Sequence, residues 1–95
     1  MVLEIAEFAI QPGREDDFAA AYKEALPLAE AVKGFQSARM VRGIESPSVF
    51  VLLIEWDTLE AHTEGFRKSP SYVRWRELIG PYFAGDPKVQ HGVEI

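Results

Sequence analysis

The chain has 95 residues, 47% of them hydrophobic, and a net charge of −5. It therefore forms one folded domain near the lower size limit for a single core, which excludes a disordered polar chain. It lacks the basic surplus of a nucleic-acid-binding surface, and with no cysteine it has no disulfide, thiolate nucleophile or cysteine-type zinc site.

No leader-like segment opens the sequence, and no apolar run approaches the roughly 18–20 residues of a membrane span, so a cytoplasmic domain is expected. Val2 to Ile10 is rich in strand formers. Both alternating sets contain apolar residues: Leu3, Ile5 and Ala9 against Val2, Ala6, Phe8 and Ile10. Gln11-Pro12-Gly13 is turn chemistry. From Arg14 the period becomes helical, with Phe18, Tyr22, Ala25/Leu26 and Ala29 on one stripe. Glu15, Asp16 and Asp17 occupy the first turn, where the helix dipole favours acids. Pro27 predicts a kink or break near Leu26, and Gly34 ends the segment.

Phe35 to Gly43 reads as a second strand, joined through Ile44 to Pro47 to a third at Ser48 to Trp56. That third strand is apolar on both sides: Phe50, Leu52, Ile54 and Trp56 on one, Val49, Val51 and Leu53 on the other. Asp57 is placed to cap a helix from Thr58 to Lys68, with Glu60 in the capping-box position. Ser69-Pro70 then starts a second short helix reaching Ile79, with Tyr72, Trp75 and Leu78/Ile79 inward. Gly80-Pro81 terminates it, and Lys88 to Ile95 reads as the last strand. Arg67, Lys68, Arg74 and Arg76, beside Glu64 and Glu77, read as a solvated face.

The order β-α-β-β-α-β predicts an α+β, ferredoxin-like fold, a four-stranded antiparallel sheet with helices on one face. The uncovered face keeps about half of the apolar residues of the first and third strands, which predicts a homodimer through that sheet face.

Several stretches resemble the antibiotic biosynthesis monooxygenase family of the dimeric α+β barrel superfamily. They are Pro12-Gly13-Arg14-Glu15-Asp16-Asp17-Phe18, Gly34-Phe35, and Trp56-Asp57-Thr58-Leu59-Glu60-Ala61-His62 leading to Phe66 and Ser69-Pro70. The resemblance covers almost the whole chain and implies a ligand cavity between the helices and the sheet. It also implies a reaction class: cofactor-free oxygenation of a phenolic or quinone-like aromatic molecule. Haem-degrading members use an asparagine, a tryptophan and a histidine. This sequence has no asparagine, and the other two places fall near Phe66 and Arg76, so that activity is set aside.

Such an oxygenase needs a base, apolar walls and a donor for the anion that forms, and no metal or other cofactor. His62 is the candidate base and shares a helix face with Phe66, although a solvent-facing histidine is its plainer reading. Tyr72 is the candidate donor. Phe66 and Trp75 are candidate walls, with Tyr22, Phe18, Tyr82 and His91 as further candidates; core packing is the plainer role for the aromatic residues, and a hydrogen-bonded structural histidine for His91. Trp56 is expected to be structural, at the subunit boundary. Arg39 and Arg42 are expected on opposite faces of their strand, one pairing with Glu4 or Glu7. The competing readings are a non-enzymatic ligand-binding or structural dimer, and an isomerase or cyclase using the same cavity. A cavity above ~300 Å³ reaching His62 and Tyr72 separates catalysis from a filled structural interior.

Overall fold

In the computed structural model, which describes residues 1–95, four antiparallel strands lie in the order β2-β3-β1-β4. They are β1 (Val2–Ala9), β2 (Phe35–Arg42), β3 (Val49–Trp56) and β4 (Lys88–Gly92). Helices α1 (Glu15–Glu30) and α2 (Pro70–Ile79) pack on one face. This is the ferredoxin-like α+β arrangement that the element order predicts. The period of two decides what is buried. Glu4, Ala6, Phe8 and Phe50, Leu52, Ile54, Trp56 face the helices and are buried, whereas Leu3, Ile5, Val49, Val51 and Leu53 on the far face stay half-buried.

The core forms around Phe18 of α1. Its ring meets Phe50 edge-on at 4.9 Å and Phe8 at 5.6 Å. Each such fully buried aromatic contributes roughly 1.5–3 kcal/mol through the water it leaves. A second aromatic group gathers Trp56, Phe35, Phe66, Trp75 and Tyr22 at the other end of the helical layer.

Four local expectations are corrected. Helix α1 runs through Pro27 to Glu30 without a break. Pro27 sits in the last turn on the solvent side, where the carbonyl of Lys23 can meet water in place of the missing N–H, while Ala25 and Ala29 hold both flanks in the core. Thr58, not Asp57, caps the next turn, its Oγ1 accepting the N–H of Ala61 at 3.1 Å. The Asp57 carboxylate accepts from the Gln36 side chain, and its N–H donates to the Gly34 carbonyl at 2.7 Å, tying the end of β3 to the start of β2. In place of a regular helix from Thr58 to Lys68, Ala61–Phe66 forms a π turn, in which the N–H of Arg67 donates to the carbonyl of His62 at 3.0 Å. Finally, β4 stops at Gly92 rather than Ile95.

Ser69 and Pro70 behave as their sequence predicts. Pro70 opens α2, and the Ser69 hydroxyl accepts the N–H of Tyr72 at 3.3 Å. That hydroxyl also donates to the Phe66 carbonyl at 2.6 Å, which joins the π turn rigidly to α2.

Candidate functional site

A cavity of about 470 Å³ lies between the helices and the sheet. Ala6, Phe8 and Leu52 of the sheet and Phe66, Trp75 and Ile79 of the helical layer give it apolar walls. Glu4, His62 and Tyr72 supply polar groups, and Arg67 and Arg76 stand at its edge. The volume exceeds the ~300 Å³ that separates a ligand site from a filled interior.

His62 is 3% exposed, so the solvent-facing reading is overturned. His62 and Phe66 both lie in the π turn and both turn inward to the cavity. Strand register brings the other members together, because Glu4 of β1 pairs directly with His91 of β4 on the helix-facing side. The Nδ1 of His62 lies 2.8 Å from Nε2 of His91, and its Nε2 lies 3.4 Å from Oε1 of Glu4. That same oxygen accepts the indole N–H of Trp56 at 2.9 Å. Trp56 is therefore a wholly buried member of this network, not a boundary residue.

Two proton arrangements satisfy the chain. A proton on Glu4 can face an unprotonated His62 Nε2 while His62 Nδ1–H donates to His91. Alternatively, an ionised Glu4 accepts from His62 Nε2–H while His91 donates to Nδ1. Burial pushes the Glu4 carboxyl above its usual range, against the opposing effects of the Trp56 hydrogen bond and the Arg67 charge. Burial, then the Arg67 charge and His91, pull the His62 imidazole down to about 4. His91 is lowered by burial and by Arg67. The close approach of His62 and Glu4 has the geometry of an ion pair, yet both shifts favour neutral groups. Burial dominates here, and the resting pair is best described as hydrogen-bonded rather than ionic.

Of the sequence candidates, His62, Tyr72, Phe66 and Trp75 meet at the cavity. His91 stands behind His62 and acts on it through the imidazole contact. Tyr22 and Phe18 do not reach the cavity wall: Tyr22 packs edge-on behind Trp75 at 6.3 Å, and Phe18 fills the core. Tyr82 lies outside it too, under the Arg14 guanidinium at 4.7 Å. The Arg39 and Arg42 expectation is also corrected. Arg42 bonds the Pro47 carbonyl and Asp16, while Glu4 is held by Trp56 and His62. Three residues on the wall were missed: Glu4, and Arg67 and Arg76, which are exposed as the solvated-face reading predicts but also reach the edge of the cavity. Glu4 had a signal, since it shares the parity of Ala6, Phe8 and Ile10 and so had to point inward.

Comparison with known proteins agrees with this architecture. Residues 1–78 match the family model described as antibiotic biosynthesis monooxygenase. The chain is 37% identical over 95 residues to the uncharacterized protein YczJ of Bacillus subtilis, each chain being covered in full. A crystal structure from Bordetella bronchiseptica, assigned to antibiotic biosynthesis monooxygenases, is similar at 37% identity and a TM-score of 0.96, with 99% of this chain and 96% of that one covered. The cofactor-independent oxygenase SnoaB of Streptomyces nogalater shares the fold at a TM-score of 0.84 and 12% identity, covering 98% of this chain and 90% of its own.

Proposed function

We propose, because this chain belongs to the antibiotic biosynthesis monooxygenase family, that its cavity oxygenates a planar phenolic or quinone-like aromatic molecule without a cofactor. The observation that carries the reading is a neutral, buried imidazole on an aromatic-walled cavity of about 470 Å³ that also holds the Tyr72 phenol. A cofactor-independent oxygenase among the fold neighbours adds support.

In this reading His62 removes the acidic proton of the substrate at Nε2, while Nδ1–H donates to His91 and fixes the ring. The Glu4 contact at 3.4 Å is loose enough for Nε2 to turn to a substrate. Glu4 keeps its own proton, and the imidazolium that has formed returns the abstracted one to the peroxide oxygen. The substrate anion gives an electron to dioxygen, the two radicals combine at the ring carbon, and the peroxide loses water to leave a carbonyl. One oxygen atom ends in the product and the other in water, whose two hydrogens are the proton that His62 removed and the hydrogen of the oxidised carbon. Phe66 and Trp75 hold the ring and exclude water, and the Tyr72 hydroxyl donates to the developing oxyanion.

Oxygen uptake with anthrone- and naphthol-type substrates, in buffer containing a metal chelator, tests the reading. The expected result is uptake with one heavy oxygen atom from labelled dioxygen in the product. No uptake across the panel overturns it. The juxtaposition of Glu4 and His62, two proton carriers side by side, supports a second reading, an isomerase or cyclase. That activity would persist under argon.

We also propose a homodimer through the outer sheet face. Leu3, Ile5, Val51 and Leu53 lie there half-covered, beside Val41 at 47% exposure. Sedimentation should give twice the chain mass, and Leu53→Lys should shift the protein to the single-chain mass. A wild-type single chain at micromolar concentration overturns the dimer.

A further inference from the structure

Two guanidinium groups at the cavity make no ion pair, although the Arg67 charge is felt by the buried Glu4 carboxyl. Four other cations are ion-paired, Arg14 with Asp17, Arg42 with Asp16, Arg74 with Glu77 and Lys68 with Glu64, and of the unpaired ones only Arg67 and Arg76 line this cavity. Arg67 has no ion pair and no side-chain hydrogen bond, and it lines the cavity from the end of the π turn. Arg76 reaches only neutral groups, the Tyr72 hydroxyl at 3.3 Å and the Phe83 ring face at 5.6 Å. The one acid on the same wall, Glu4, is 5% exposed and already committed to Trp56.

We propose that Arg67 and Arg76 form an anion clamp at the edge of the cavity, and that the aromatic molecule accepted there carries a carboxylate. This rests on the aromatic-substrate reading and narrows it. A guanidinium presents planar paired donors that match a planar carboxylate, and the flat apolar walls beside it suit the ring that would carry such a group.

The clamp also gives the carboxylate a second effect. The Arg67 charge opposes protonation of His62. A bound carboxylate neutralises that charge and makes His62 the stronger base once substrate has arrived. Binding would then switch on the proton acceptor that the reaction needs.

Calorimetric titration of the intact protein with 1-hydroxy-2-naphthoate and with its methyl ester tests the clamp. The acid should bind about ten- to a hundredfold more tightly than the ester, the range expected for hydrogen bonds to a charged group. Arg67→Gln with Arg76→Gln should abolish that preference, bringing acid and ester to equal affinity. Equal binding of acid and ester, or a preference that survives both substitutions, overturns the clamp while the aromatic-substrate reading stands. Binding of neither compound removes both. An acid that binds tightly through the arginines yet drives no oxygen uptake supports the clamp and counts against the oxygenase alone.

Discussion

The indole of Trp56 lies face to face with the imidazole of His62, ring centroids 5.4 Å apart and planes 14° from parallel. Its N–H extends past that ring to the carboxyl group of Glu4. The last residue of one strand therefore orients both proton carriers, holding His62 by its face and Glu4 by an oxygen.

Removing the imidazole tests its part in the chemistry. His62→Ala should lower turnover by about 10²–10⁴, the usual size of a general-base contribution. His91→Ala leaves the base in place but frees its ring to rotate, so a smaller loss, confined mainly to kcat, is expected. Steady-state oxygen uptake for both variants checks this, and unchanged turnover in His62→Ala removes it as the base.

The pH profile should be displaced toward acid. With His62 held down to about 4, the acidic limb of kcat/KM should fall there rather than near the ordinary imidazole value of 6.5. Folding stability follows the same group. Its contribution is whole above about 6.5 and is lost as the pH falls toward 4, because the unfolded chain takes up the proton first. Glu4 has the opposite sign: its raised value stabilises below 4.5 and that stabilisation fades as pH rises. Urea melts of wild type and His62→Gln between about pH 4 and 7 should show the wild type losing more stability on acidification, by up to roughly 3 kcal/mol.

Glu4 separates structure from chemistry. Glu4→Gln keeps an oxygen for the Trp56 N–H and should hold most of the stability while lowering turnover. Glu4→Leu leaves that indole donor unpaired in the core and should cost about 1–3 kcal/mol in chemical denaturation. Equal stability of the two variants would show that the indole bond contributes little.

Gly34 and Gly13 both have positive φ, at 97° and 89°, and they differ in surroundings. A Cβ on Gly34 would fall 2.7 Å from the Cβ of Ala61, whereas one on Gly13 meets nothing within 4 Å. Gly13→Ala should cost about 1 kcal/mol from backbone strain alone. Gly34→Ala adds a clash against the residue preceding His62 and should cost at least about 2 kcal/mol more and impair the site. Thermal melts of the two variants check the difference.

Strand positions, the helical layer and the apolar outer face were legible because a period of two or 3.6 persists whatever the neighbours do. The site was legible only in part. His62 and Phe66 stand four apart, so their common face was readable, but its inward direction was not, and nothing in their spacing announced the π turn. Arg67 and Arg76 are exposed, as the solvated-face reading has them, and they reach the cavity edge from two different elements. Glu4 was missed for another reason. A carboxylate at an inward position suggested an ion pair, and its actual partner, the indole N–H of Trp56, lies fifty-two residues along the chain.

The widened coil at Ala61–Phe66 has a consequence for how this chain can diverge. Deleting one residue there would relax it to ordinary winding, a change that a foldable descendant could tolerate. The imidazole would swing away from its carboxyl neighbour, and a shell of the same outline would survive without its proton acceptor.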